Sequence, residues 1–368
     1  MISVLTLVNS VSSTSIPVEI ADAINEQTDA QVTVGSLLQS KDDDLDPDIH
    51  SMDLSTEFFS GQSNFDPRSY KLLDEHIQSS EYEIVHTHHN FSGSVSRMIG
   101  RLRGLKIVNT EHNNHRYFST AQRTANAATF MLPDINVYNS KSTKSSIDPI
   151  ARRLSQRDEI IYNGVDVDRV ETGAEYPFPV DLPDGTIVTN VGVMTEQKNQ
   201  QAILDAAHRV KQHMSPNDVY FVIAGSGPLF DELKVKTTRL QITDIVLFTG
   251  YLPEREHVYK LLHESDLFIL PSIYEGFCVA AVEAMAAGLP VVASDIDVLH
   301  EVVGEPGVYA DPDDPTEFAD ALIALAEDPD RRERLGTEAK ERARSTFPLE
   351  RTAREYYNIY KQLAETAE

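Results

Sequence analysis

The sequence predicts an α/β chain of two doubly wound, parallel-sheet domains, and three observations predict it. Short apolar runs alternate with amphipathic stretches along the whole chain, the pattern of βαβ units. The alternation breaks once, at residues 171–185, a polar stretch with three prolines and two glycines that reads as a linker. At 368 residues the chain is long for one domain and natural for two.

In the first half, residues 4–8, 32–37, 83–87, 105–110 and 135–138 read as strands, with helical spacing over 67–78 and 93–102. Residues 159–162 read as the last strand of that half, ending at the Asn163-Gly164 turn. The second half repeats the pattern with strands at 186–193, 219–224, 245–249, 267–270 and 290–293. A helix of small residues follows 267–270 and stops where Gly288 and Pro290 end it. From 348 to 364, Tyr356, Tyr357, Tyr360 and Leu363 recur at helical spacing; that helix packs either on the second domain or back on the first. The expected division is 1–175, 176–347 and a terminal helix, 348–368, returning to the first domain.

Composition excludes several classes. No apolar run is long enough to span a bilayer. The first residues, Met1 to Val8, lack a basic leader and a cleavage site, so they read as a strand of a cytoplasmic protein. Cys278 is the only cysteine, which rules out an internal disulfide framework and a Cys-based zinc site; it reads as a small apolar residue on a packed helix. The formal charge of −26, from 58 acidic and 32 basic residues, argues against nucleic-acid binding. The acidic excess is spread along the chain, with a local cluster at 41–48. With no tryptophan and little lysine, it fits a solvated halophilic surface, where salt screens self-repulsion. Arg97, Arg101, Arg103 and Lys106 form the one basic group that favours peripheral membrane contact.

The most informative run is 271–285. It begins at the carboxyl end of an apolar strand, the edge at which open α/β sheets bind ligands. Glu275 and Glu283 bracket the turn into the helix. Backbone N–H groups around Gly276, Phe277, Cys278 and Val279 are expected to face an anion, helped by the helix dipole. In the first half, His86-Thr87-His88-His89 ends one strand and Thr110-Glu111-His112 another. No paired histidine spacing on a helix accompanies them, and Asp311-Pro312-Asp313-Asp314 reads as a turn, so no metal site is expected.

These segments add up to a resemblance. Asn163-Gly164-Val165-Asp166, Lys198-Asn199, Gly225-Ser226-Gly227-Pro228, Phe248-Thr249-Gly250, Pro271-Ser272, the pair Glu275 and Glu283, and Gly288-Leu289-Pro290-Val291-Val292 occur in the order and spacing of glycosyltransferase family four, the group 1 glycosyl transferases. The chain resembles these retaining enzymes of the GT-B fold most closely in its second half. The resemblance implies two Rossmann-like domains facing across a cleft and metal-independent transfer from a nucleoside-diphosphate sugar, with no resident cofactor. It implies a glycan, glycolipid or lipid-linked acceptor held by the first domain.

It also implies roles. Lys198 neutralises the leaving diphosphate, the main electrostatic task of glycosyl transfer. Glu283 accepts from two ribose hydroxyls, and Glu275 holds donor-sugar hydroxyls beside the anomeric carbon. Gly225 and Gly227 allow close backbone approach to the ligand, and Leu252 lines the base pocket through its backbone. His112 serves the donor sugar through its imidazole or its carbonyl. Ser12, Ser13 and Thr14, with His88, take the place of the glycine-rich first loop beside the diphosphate or acceptor. One departure stands out: Val193 follows Gly192 where relatives usually carry Arg, so either Lys198 acts alone or a basic residue elsewhere compensates. The acceptor hydroxyl is expected to attack the face from which the diphosphate leaves, which needs no protein nucleophile. The rival readings are a nucleotide-sugar 2-epimerase of the same fold and a catalytically silent nucleotide-sugar-binding protein.

Overall fold

The computed structural model describes residues 1–43, 47–88, 90–215 and 218–366; His89 and part of the acidic cluster at 41–48 lie outside the described residues. The chain divides into two units, one comprising residues 1–164 together with the chain from Leu349, the other 165–348.

The first unit is built on seven parallel strands: β1 (Ile2–Val8), β2 (Ala30–Ser36), β3 (Ser55–Phe58), β4 (Ile84–Thr87), β5 (Lys106–Glu111), β6 (Ile135–Tyr138) and β7 (Asp158–Ile160). They lie in the order β3-β2-β1-β4-β5-β6-β7. The second unit has six: β8 (Thr186–Val191), β9 (Val219–Ala224), β10 (Val246–Gly250), β11 (Leu267–Leu270), β12 (Val291–Ser294) and β13 (Val308–Ala310), in the order β10-β9-β8-β11-β12-β13. All pairings are parallel. Helices cover both faces of such sheets, which is why central strands such as β4, β11 and β12 are buried at every position. In each sheet the strand order reverses beside the first strand, between β1 and β4 and between β8 and β11. Both units are therefore Rossmann-like, with a switch point where loops diverge at the carboxyl edge.

Two strands escape the sequence pattern. β3 (Ser-Thr-Glu-Phe) and β13 (Val-Tyr-Ala) are edge strands of four and three residues, too short to show a period.

The terminal helix, Leu349–Glu365, completes the first unit. Ala353, Tyr356, Ile359, Tyr360 and Leu363 enter the same core as Val18, Ala21 and Ile24 of the helix Ile16–Gln27. Thr352 Oγ1 donates to the Tyr162 carbonyl at 2.9 Å, and a side chain at Gly164 would collide with the Leu349 backbone.

The division falls at Gly164/Val165, not at 175/176, and the physical reason is packing. Val165 N–H donates to Phe347 O at 2.9 Å, and Val165 bridges to Pro348, so the entry and exit strands of the second unit are tied together. The helix Val167–Thr172 and Gly173 then pack on the helix Arg255–His263; a Cβ at Gly173 would strike Tyr259. The Pro-rich stretch 171–185 is thus part of the second unit.

The basic group on the first unit also reads differently in three dimensions. Arg97 is fully buried, Arg101 pairs with Asp134 at 2.9 Å, and Arg103 forms a two-pronged bond with Asp74 at 2.6 and 2.7 Å. Three of the four cations are thereby neutralised within the fold and offer no free basic patch. Among the described residues no helix is long and apolar enough to cross a membrane.

Candidate functional site

The switch point of the second sheet brings the sequence-predicted residues together. β8 and β11 are hydrogen-bonded neighbours, so the loops leaving their carboxyl ends meet. The β8 loop carries Lys198 and the β11 loop carries Glu275, and the Lys198 ammonium donates to Glu275 Oε1 at 2.6 Å. Ser272 Oγ donates to the same oxygen at 2.8 Å. The loops are stitched in three more places. Ile273 N–H donates to Gln197 O at 2.9 Å, Gln197 Nε2 to Tyr274 O at 3.0 Å, and Asn199 Nδ2 to Pro271 O at 3.1 Å. Asn199 holds a left-handed backbone (φ 51°), which an asparagine tolerates better than most residues, and so opens the helix Gln200–His213 at once.

Burial pulls the Lys198 pKa down, but the Glu275 carboxylate hydrogen-bonded to it opposes this, and the net shift is upward. The side chain therefore remains an ammonium at any working pH. Its stem passes Gly192, where an added Cβ would lie 3.9 Å from Lys198 Cδ and Cε.

Glu283 sits at the fifth position of the helix Val279–Ala286, beyond the first turn, so it is not a dipole-stabilising cap. It is 5 % exposed, and Arg255 donates to its Oε1. Both carboxylates share one arrangement. Each is gripped through Oε1, and among the described residues neither Oε2 accepts a hydrogen bond.

The turn between the carboxylates is Gly276, Phe277 and Cys278, all buried, with Val279 as the first helical residue. Phe277 is held edge-on against Phe347, ring centroids 5.5 Å apart. Cys278 adopts φ 80°, ψ 80°, a left-handed conformation that costs a side-chain-bearing residue about 1–2 kcal/mol. Burial first, and then the nearby Glu275 charge, push its thiol pKa up to about 12, so it is protonated and not a nucleophile. Cys278→Gly is expected to leave the melting temperature unchanged or raise it. Cys278→Val adds a β-branched side chain at positive φ and is expected to lower stability by about 1–3 kcal/mol. Thermal unfolding followed by circular dichroism checks both.

On the other side of β8, glycines permit a close crossing. Gly225 has φ +125°, and a Cβ there would collide with the Gly192 carbonyl; one at Gly227 would lie 2.6 Å from Met194 O. Leu252 packs against the apolar cluster of Ile187, Val222, Ala224 and Leu261. Val193 is more than half exposed and brings no charge to the site.

In the first unit the analogous edge assembles His88 and His112, because β4 and β5 are neighbours. His88 Nδ1 and His112 Nε2 are 2.9 Å apart, with the rings stacked. The His112 carbonyl accepts from Asn139 Nδ2 at 2.9 Å. Behind them lies a buried chain. His86 Nδ1 meets Tyr360 OH at 2.7 Å, His86 Nε2 meets Thr110 Oγ1 at 2.8 Å, and Thr110 Oγ1 meets Tyr356 OH at 3.0 Å. Burial, with a smaller contribution from His112, lowers the His86 pKa to about 3, so this histidine is neutral and structural. Ser12 and Thr14 hydroxyls bond each other at 3.1 Å, and Ser13 is buried, all three at the carboxyl end of β1. Among the described residues no group of three or more His, Cys, Asp or Glu side chains is arranged to hold a metal ion.

Two participants went unrecognised in the sequence. Ser272 is part of a quoted motif, but its hydrogen bond to Glu275 is visible only in the fold. Arg255 carried a signal: a cation at the first position of a helix opposes the helix dipole and calls for a partner.

Two family models match the chain, one in each half. Glycosyl transferases group 1 match residues 175–342, and Glycosyltransferase Family 4 matches residues 19–169. An uncharacterized glycosyltransferase of Methanocaldococcus jannaschii is 27% identical over 231 residues, 60% of this chain and 58% of that one. The chain thus spans little more than half the length of that relative. An Escherichia coli UDP-Gal:alpha-D-GlcNAc-diphosphoundecaprenol alpha-1,3-galactosyltransferase is 27% identical over 278 residues, 70% of this chain and 69% of that one. Among solved structures, sucrose-phosphate synthase from Thermosynechococcus elongatus superposes with TM-score 0.81 at 18% identity, covering all of both chains. Anabaena HepE in complex with UDP and glucose superposes with TM-score 0.80 at 19% identity, covering 100% of this chain and 99% of that one.

Proposed function

Because this chain belongs to glycosyltransferase family 4, the group 1 glycosyl transferases of GT-B fold, we propose that it is a retaining hexosyltransferase. Its donor is a nucleoside-diphosphate sugar and its acceptor a glycan, glycolipid or lipid-linked saccharide.

The observation that carries this reading is the shared arrangement of Glu275 and Glu283. Two nearly buried carboxylates, each neutralised by a cation at Oε1 and each with Oε2 unoccupied by protein, suit a ligand rich in hydroxyl groups. Glu283 would take the ribose, Glu275 the transferred sugar, and Lys198 would shift from Glu275 toward the departing diphosphate. In the same reading the His112 imidazole serves the sugar's primary hydroxyl. The acceptor hydroxyl attacks from the face the diphosphate leaves, its proton passing to the leaving phosphate, so the anomeric configuration is kept.

A panel of UDP-, GDP- and ADP-hexoses tests this by thermal unfolding and by nuclear magnetic resonance of the products. One donor is expected to stabilise the fold, by about 2.7 kcal/mol at a hundred times its Kd, and to yield a product of the donor's anomeric configuration. Inversion would sink the retaining mechanism. Failure of every donor to bind would sink the donor site.

A further inference from the structure

We infer that Arg255 is the positioning residue for nucleotide ribose recognition: it orients the Glu283 carboxylate through Oε1, which leaves Oε2 to accept from the ribose hydroxyls. The inference rests on the donor reading above and adds to it a residue on a different element.

Arg255 opens the helix Arg255–His263, where its charge opposes the helix dipole. The adjacent Glu256 does not offset it, since that carboxylate is taken by Arg169 at 2.7 and 2.9 Å. The Arg255 side chain instead turns inward, with only 12% of it exposed, and meets a carboxylate that is 6% exposed. Tyr259, one turn along the helix, fixes it from behind. Arg255 Nε donates to Tyr259 OH at 3.0 Å, and the guanidinium lies 5.9 Å from that ring. Tyr259 is itself immobilised against Gly173, where no side chain fits. A guanidinium held from behind in this way fixes the direction of its bond to Glu283, which a flexible lysine would not do.

The consequence for binding is direct. A nearly buried carboxylate that loses its partner is strongly destabilised where it stands. Without Arg255, Glu283 loses the bond that fixes its direction and turns toward water, where it accepts poorly from a vicinal diol. With Val193 uncharged, Arg255 is also the second cation at this edge, acting on the nucleotide through Glu283 while Lys198 acts on the diphosphate.

Calorimetry at one fixed salt concentration tests this. The probes are UDP, GDP and ADP with their 2′-deoxy and 3′-deoxy counterparts, and the proteins are the full native chain, Arg255→Gln, Arg255→Lys and Glu283→Gln. The native chain is expected to prefer the ribonucleotide by about ten- to a hundredfold, the worth of a hydrogen bond to a charged group. Arg255→Gln and Glu283→Gln should reduce that ratio to near one, and Arg255→Lys should leave an intermediate ratio. The ratio is internal to each variant, so a general loss of stability does not imitate the result. If Arg255→Gln does not fold, Arg255→Lys carries the same comparison. An Arg255 variant that retains the native ratio overturns the inference, even if its overall affinity falls. A native chain that binds none of the nucleotides overturns the donor reading instead.

Discussion

Lys198→Ala is expected to lower the rate constant of sugar transfer by about a thousandfold while the protein remains folded. The magnitude is at the upper end of what removing one preorganised donor to developing negative charge costs. The change also leaves Glu275 with Ser272 as its remaining partner, so part of the loss arises from a displaced carboxylate. Two companions separate these effects. Glu275→Gln keeps the shape of the side chain and removes its charge, and should slow transfer without abolishing binding of the nucleoside diphosphate. Lys198→Arg keeps a charge but replaces a compact ammonium with a planar fork in a space bounded by Gly192, and should not restore the rate. Steady-state kinetics and calorimetry with the diphosphate give the comparison. Full transfer activity in both Lys198→Ala and Glu275→Gln would mean that the chemistry lies elsewhere.

The largest stability effect is expected at Glu111, the node of a buried network in the first unit. Its Oε1 accepts from Asn109 Nδ2 and Asn126 Nδ2, both at 2.9 Å, and its Oε2 meets His115 Nε2 at 2.8 Å. It is also the counter-charge, at 3.9 Å, of the fully buried Arg97, two of whose nitrogens have no hydrogen-bond partner. Burial lowers the Arg97 pKa to about 10, with Glu111 opposing that fall; the group stays charged and needs its carboxylate. Glu111→Ala therefore strands a cation in the interior and should cost about 3–5 kcal/mol, a large share of a typical domain's 5–15 kcal/mol. Urea unfolding followed by circular dichroism measures it, and an unchanged midpoint would refute the assignment.

The same residues set the response to acid. Burial alone would raise the Glu111 pKa, but His115, Arg97 and Asn109 bring it down to about 2 from an ordinary 4.5. Its contribution is thus complete above pH 4.5 and lost as pH falls toward 2. His86 acts earlier. Its folded pKa of about 3 lies below the ordinary 6.5, so below pH 6.5 the unfolded chain binds a proton that the folded one refuses. Stability then falls by roughly 1.4 kcal/mol per pH unit down to about pH 3. His86→Gln should flatten the loss between pH 6.5 and about 3, and Glu111→Ala the additional loss between pH 4.5 and about 2.

How far the sequence revealed this can be judged residue by residue. The turn from β11 into the helix Val279–Ala286 was legible because an apolar strand, a glycine turn and a Gly-Pro stop occur within a short stretch. The pairing of Lys198 with Glu275 was not, since the residues are 77 apart and only the reversed strand order makes their loops neighbours. The prolines of 171–185 imitated a linker, while the true boundary depends on a non-local tie between Val165 and Phe347. Arg97 was assigned to a surface patch although it shares a helix face with Gly93 and Gly100. Gly100 lies so close to Ile107 that a Cβ would sit 2.6 Å from it, which marks that face as inward. A charge on the small-residue face of a helix was the signal to follow.

The placement of the helix Leu349–Glu365 within the first unit bears on the order of synthesis. Ala353, Tyr356, Ile359, Tyr360 and Leu363 belong to a core whose other buried members are translated before residue 164, with the whole second unit made in between. At ordinary elongation rates the ribosome needs roughly ten to forty seconds for that interval. Throughout it the nascent first sheet carries an apolar surface, with His86 lacking its tyrosine, until the last turns emerge. The later-made unit is thus synthesised before the first one can acquire this helix and close its core.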